Sequence, residues 1–318
     1  MGIFSSIFSS KKSEETTESK QKENQKNFDI LKYDGVRALR MGRTDYAVKC
    51  FTEALHLQKD FETMHFLTTA YTMLQELEEA LDVLEEMIEM EPEEVNSYLT
   101  RVNILFMLDR DAEAIADCTQ AITLDPENYL AYFLQAKAKR NTGDFLRAIA
   151  DLTKAIALKE EFADGFLVRA EVLLAMKQGK EALADAEQVI ALVPEEEAGY
   201  LLRGRIYELL NETASATADY HHTLTLNPFN EEAYLRAGQL LINQEKYDEA
   251  ITLLDEAIEH NEHFAQAYAE RGRAKHLLGD KEGAVKDLQM SIELNPEGEE
   301  AQKLGQVNFD NLYKGGIF

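Results

Sequence analysis

Apolar positions along the chain fall at helical spacing. Tyr200, Gly204 and Tyr207 follow i, i+4, i+7, and Ala216, Tyr220 and Thr223 do the same a little further on. Short polar or glycine-bearing breaks separate such runs, among them Asn141-Thr142-Gly143-Asp144 and Gly279-Asp280. The pattern predicts pairs of antiparallel helices, each of roughly three turns.

The pairs recur at a fixed period. The five prolines, Pro92, Pro126, Pro194, Pro228 and Pro296, stand 34, 68, 34 and 68 residues apart. Each forbids continuation of a helix that precedes it. An alanine column runs without a gap through Ala47, Ala80, Ala114, Ala148, Ala182, Ala216, Ala250 and Ala284. An aromatic column holds Tyr98, Tyr132, Phe166, Tyr200, Tyr234 and Tyr268, with Leu31 and Met64 in the earlier places. Four residues later a small-residue column holds Gly35, Thr68, Ala136, Ala170, Gly204, Gly238 and Gly272, broken by Val102. Small residues on both helices let two backbones approach closely while the aromatic fills the space beside them. A single hairpin cannot bury its own apolar face, so such units must stack into a solenoid.

These landmarks resemble the tetratricopeptide repeat family, most closely at Tyr200, Arg203-Gly204, Tyr207, Ala216, Tyr220 and Pro228. The resemblance covers eight units: 28–60, 61–94, 95–128, 129–162, 163–196, 197–230, 231–264 and 265–298. It implies an all-α solenoid of eight helix pairs in a right-handed superhelix. It also implies a concave groove, lined by the first helix of each pair, that binds partner peptides. Residues 299–318, with Leu304, Val307, Leu312 and Tyr313, read as a capping helix for the last unit.

Composition narrows the function. The chain has 318 residues, 45% of them hydrophobic, enough to bury a sizeable core. Thirty-three basic against fifty-nine acidic residues leave a net charge of −26, which disfavours a nucleic-acid-binding body. No apolar run reaches the ~18 residues of a membrane span. Cys50 and Cys118 form neither a disulfide framework nor a metal-ligand set, and no basic-then-apolar leader opens the chain, so a cytoplasmic setting is expected. Residues 1–27 read as a disordered polar tail. Its first eight residues carry Ile3, Phe4, Ile7 and Phe8 ahead of Lys11-Lys12. A frayed terminus, a membrane-surface or partner anchor, and an N-myristoylation signal are all open for them.

Chemistry-bearing motifs are missing from the text. There is no phosphate-cradling glycine loop, nucleophile elbow or zinc-protease helix motif, so no enzyme and no cofactor is expected. His260 and His263 stand at a helix end, where interaction with the terminal carbonyls is the expected role. Arg101, Arg169, Arg203 and Arg271 each precede an aspartate by sixteen residues (Asp117, Asp185, Asp219, Asp287), which predicts structural ion pairs. Glu76 to Glu94 holds ten acids and no Lys or Arg, a solvated face or a dock for a basic segment, with Met87 and Met90 as adaptable apolar contacts.

The expected groove starts from the row Leu99, Phe133, Leu167, Leu201 and Leu235, one residue past the aromatic column. Packing between neighbouring repeats is the competing role for this row. Four and seven residues further along stand Asn103, Phe106, Lys137, Arg140, Arg205, Gln239, Arg273 and His276, together with Glu171, Leu174, Glu208 and Ile242. These positions carry four basic and two acidic residues on an acidic protein. The expected function is a protein-interaction scaffold whose partner segment bears carboxylates and apolar anchors. A structural or assembly protein, localised by its tail or its acidic face, is the alternative. The family's carboxylate clamp for chaperone tails does not carry over, because Lys32 is followed by Val36 and the next unit presents His65-Phe66.

Overall fold

A computed structural model describes residues 4–298. They form sixteen α-helices and no strand: α1 (Phe4–Arg40), α2 (Thr44–Leu57), α3 (Phe61–Met73), α4 (Leu77–Met90), α5 (Val95–Met107), α6 (Asp111–Leu124), α7 (Tyr129–Asn141), α8 (Phe145–Leu158), α9 (Ala163–Ala175), α10 (Gly179–Leu192), α11 (Glu197–Leu209), α12 (Thr213–Leu226), α13 (Glu231–Asn243), α14 (Tyr247–His260), α15 (Ala265–Leu278) and α16 (Lys281–Leu294). The protein is an all-α solenoid of helix hairpins. Two compact units divide it, one up to Leu158 and one from Lys159. Within each unit every helix packs on the next, and first helices also meet: α1 with α3, α5 with α7, α9 with α11, α13 with α15. The cap expected over 299–318 lies outside the described residues.

The first helix departs from its composition. Residues 1–27 read as a disordered tail, yet α1 starts at Phe4 and continues into the first repeat. No glycine or proline interrupts the chain between Gly2 and Gly35, and the Lys, Glu and Gln of that stretch lose little side-chain freedom in a helix.

Each hairpin turns through one left-handed residue: Gly42, Gln75, Asp109, Gly143, Lys177, Asn211, Glu245 or Gly279. In every turn the N–H of the following residue donates back to the carbonyl five residues earlier, as Glu76 does to Tyr71 and Gln178 to Leu173, both at 2.9 Å. This is the Schellman closure, which satisfies carbonyls that the helix end would leave orphaned. Only three of the eight residues are glycine, so the other five hold a conformation that side chains resist. The next first helix is often capped by a short acid or amide. Asp60 accepts from the Thr63 N–H at 2.9 Å, Asn128 from Ala131 at 3.1 Å and Asn230 from Ala233 at 2.9 Å.

Inside the hairpins, residues sixteen apart face each other. A side chain at Gly204 would meet the Tyr220 ring at 2.5 Å, and one at Gly35 would meet Phe51 at the same distance. Both rings are fully buried. Where the chain has Val102 instead of a small residue, the facing position is Cys118, and both are fully buried. Bulk on one helix is thus matched by its absence on the other, as a close-packed interior requires. The buried Cys118 thiol is pushed up to about 12 by desolvation first and by neighbouring carboxylates second, which leaves it a packing atom.

One residue earlier in register lies the polar pair. Arg101 meets Asp117 through two bonds of 2.7 Å, Arg169 meets Asp185 likewise, and Arg203 meets Asp219 through two of 2.8 Å. Arg271 reaches Asp287 at 2.8 and 2.6 Å. These are two-pronged ion pairs on buried aspartates within repeats, and Arg271 also reaches Asp255 of the preceding repeat at 2.5 Å. Each guanidinium also lies over the aromatic column: Tyr98, Phe166, Tyr200 and Tyr268 stand 5.2 to 5.9 Å from it. In the fourth repeat Gln135 takes the arginine place, and Lys139, one turn later, reaches Asp151 at 2.6 Å. Burial raises the Asp151 carboxyl above its usual range, and the Lys139 bond offsets this only in part.

Three outcomes follow for stability, each read by urea unfolding. Gly204→Val loses about 2–3 kcal/mol through overpacking. Adding Tyr220→Cys, which copies the Val102/Cys118 pair, gives a protein more stable than either single variant. Asp219→Asn costs about 3 kcal/mol by stranding the Arg203 charge, whereas Arg203→Ala with Asp219→Leu, the Ala237/Leu253 arrangement of the seventh repeat, costs less than either single change. Glycine at Gln75, Lys177 or Glu245 raises stability by roughly 0.5–1 kcal/mol per site, because it relieves the left-handed conformation.

Candidate partner-binding surface

The first helices expose what the second helices leave over. In the unit up to Leu158, Asn103 is exposed on α5, and its side-chain amide donates to the Leu99 carbonyl at 3.0 Å. Phe106 and Phe133 are half-buried, one on α5 and one on α7. The Lys137 ammonium sits between them, 5.4 Å from the first ring and 5.7 Å from the second. Arg140 is half-buried one turn later. Leu99, by contrast, is 6% exposed and belongs to the core around Val102, Leu105 and Leu134. Its part in the expected groove is corrected to packing, because its side chain offers a partner no surface.

In the unit from Lys159, the half-buried Leu167, Leu201 and Leu235 keep an edge toward solvent. The charges there are already matched. Arg205 lies 3.7 Å from Glu232, and Arg273 3.3 Å from Glu270. The Gln239 amide donates to Glu270 at 2.8 Å, while Arg236 bridges Glu232 at 2.7 Å and Glu208 at 3.3 Å. His276 is half-buried, and Ile242 is buried at 3%. The basic excess expected on this face is therefore corrected. Glu232, Glu270 and Arg236 stand off the four-and-seven spacing, but folding brings them against the same side chains.

The acidic run forms a solvated face, with all its acids but the half-buried Glu94 exposed. Glu78 pairs with Arg110 at 3.1 Å and Glu86 with Lys59, so part of the charge is held in place. Met87 is buried in the core, while Met90 stays 44% exposed. Among the described residues no group of three His, Cys, Asp or Glu is placed to hold a metal. His260 stands in the last turn of α14, as expected, and also packs edge-on against Phe229 with ring centres 5.1 Å apart.

A cleft between α1 and α3 was not anticipated from the spacing. It encloses about 600 Å³ and is lined by Lys32, Tyr33, Val36, Arg37, Arg40, Glu62 and Phe66. The available signal was the run Ile30, Tyr33, Arg37 and Met41, which shares one helix face at a repeat lacking the aromatic column.

Stacked helix hairpins with a first-helix face of aromatic, aliphatic and charged side chains define a helical repeat protein. Tetratricopeptide repeat models match residues 129–162 and 235–299. A solved tetratricopeptide repeat protein from Parabacteroides merdae superposes with a TM-score of 0.60 at 16% identity, covering 77% of this chain and 97% of that one. PilW, a type IV pilus biogenesis factor, gives 0.59 at 17% identity over 66% of this chain and 97% of its own. The Cut9–Hcn1 assembly of APC/C gives 0.56 at 15% identity over 87% of this chain and 55% of that one. At these identities the likeness to the solved structures is one of fold. No curated protein sequence matches the chain. The chain carries tetratricopeptide repeats over residues 129–162 and 235–299.

Proposed function

We propose that the protein is a non-enzymatic scaffold that holds a segment of a partner protein against its first helices. The observation that carries this reading is the Phe106–Lys137–Phe133 arrangement, in which two half-buried rings from successive first helices flank one cation. Rings of this kind give contact area at little entropic cost, and the ammonium supplies a polar handle beside them. A cytoplasmic setting is part of the proposal. It is supported by two free, buried cysteines and by the lack, among the described residues, of a helix long and apolar enough to cross a membrane.

A second reading, an assembly protein positioned through its N-terminal segment, is favoured by one observation. Helix α1 has 37 residues, against 13 in α3, so it extends well beyond what a hairpin needs.

A photoreactive phenylalanine at Asn103 or Lys137 should crosslink a partner in host extract, whereas the same group at the exposed Leu146 on α8 should not. Adducts formed from Leu146 but from neither first-helix position would move the partner to the second helices.

A further inference from the structure

Most arginines of this protein are already engaged. Arg101, Arg110, Arg169, Arg203, Arg236 and Arg271 each hold a carboxylate. Arg37 and Arg40 differ: both are exposed, and neither side chain makes a hydrogen bond or ion pair among the described residues. They stand one turn apart on α1, on the wall of the cleft that α1 forms with α3.

The acids nearby are committed elsewhere. Lys32 takes Asp60 at 2.8 Å and Glu62 at 2.6 Å, so the one carboxylate lining the cleft already has its cation. Asp29 accepts from Gln25 at 3.0 Å, and the half-buried Asp34 adds to the field at Tyr46 and Cys50, whose ionisation is disfavoured first by their mutual hydrogen bond and by burial respectively. Apolar surface adjoins the two guanidinium groups. Tyr33 is 69% exposed, Phe66 stacks on Phe51 with centres 5.7 Å apart, and Ile30 and Met41 are also exposed. The setting is local, since residues 20–58 carry eight basic and five acidic side chains, while residues 59–298 carry 21 and 48.

We infer that the α1–α3 cleft is a docking site for an acidic peptide segment with a single aromatic anchor. Carboxylates would take the Arg37 and Arg40 forks two-pronged, and the anchor ring would enter between Tyr33 and Phe66. A concave cleft with aromatic walls suits a side chain entering it, where a flat lipid surface would reach only its rim. The inference rests on the first-helix reading above and adds a place and a partner chemistry to it.

The test uses the full chain and a fluorescein-labelled hexapeptide of five glutamates and one phenylalanine, followed by anisotropy. The phenylalanine peptide should bind at least tenfold more tightly than its alanine counterpart, and more weakly as salt rises. Arg37→Glu with Arg40→Glu should lower affinity at least tenfold, as should Tyr33→Ala, with helical content unchanged. Lys180→Glu, an exposed charge reversal on α10, should leave binding as it was. Arg37→Gln with Arg40→Gln, which keeps the surface polar, should give an intermediate loss. Equal binding by the double reversal, or no preference for the phenylalanine peptide, overturns the site. So does Arg37-dependent binding to phosphatidylserine vesicles without peptide binding. Any of these leaves crosslinking from Asn103 and Lys137 untouched, so the broader reading stands or falls separately.

Discussion

The contact between residues sixteen apart, one on each helix of a hairpin, is the constraint from which the rest of the structure follows. Two helices that approach this closely have room for one large side chain between them. Gly204 therefore faces Tyr220, Gly35 faces Phe51, and Val102 faces Cys118. The close approach brings the preceding register positions together as well, which is where Arg203 and Asp219 meet. The aromatic column, one turn earlier, then packs on the guanidinium face. Steric fit, ion pair and ring contact thus belong to one unit, repeated along the chain.

Desolvation explains why the polar members of that unit change together. A buried aspartate without its cation is strongly unfavourable, so loss of one partner demands loss of the other. The second repeat has Leu67 and Val83 at these places, and the seventh has Ala237 and Leu253. The fourth repeat shows a different solution, in which the cation moves one helical turn along to Lys139 and Gln135 turns to Thr119 at 2.8 Å. Such substitutions keep the hairpin while changing the chemistry of its interior.

On the first helices the division is between charges that fold into networks and charges left to solvent. Arg205, Arg236 and Arg273 are drawn into contacts with Glu208, Glu232 and Glu270, so their field is cancelled close to its source. Lys137 lies beside the Phe106 and Phe133 rings, and the one carboxylate in the cleft with Arg37 and Arg40, Glu62, is held by Lys32. Residues of the last kind leave a partner to supply the counter-charge, with little competition from the protein itself.

The repeat period, the hairpins and the ion-pair register were legible in the sequence, because each depends on identities at fixed spacing that backbone geometry enforces in every unit. Pro92 to Pro296, Ala47 to Ala284 and the Arg–Asp interval needed no knowledge of neighbours. Turns were legible where glycine marked them, as at Gly143 and Gly279, and hidden at Gln75 or Lys177, where hairpin packing imposes the left-handed conformation on a residue that does not prefer it. The helical character of the residues before Phe28 was hidden too, since a polar stretch without periodicity carries no mark of the helix it continues. The state of each groove residue was decided by tertiary structure alone. Leu99 and Phe133 share one column, yet the first is core and the second reaches the surface, because burial depends on the bulk packed around each position. Likewise Arg205 and Arg37 look equally available in sequence, and only folding brings Glu232 to the first while Lys32 takes the carboxylate in the cleft of the second.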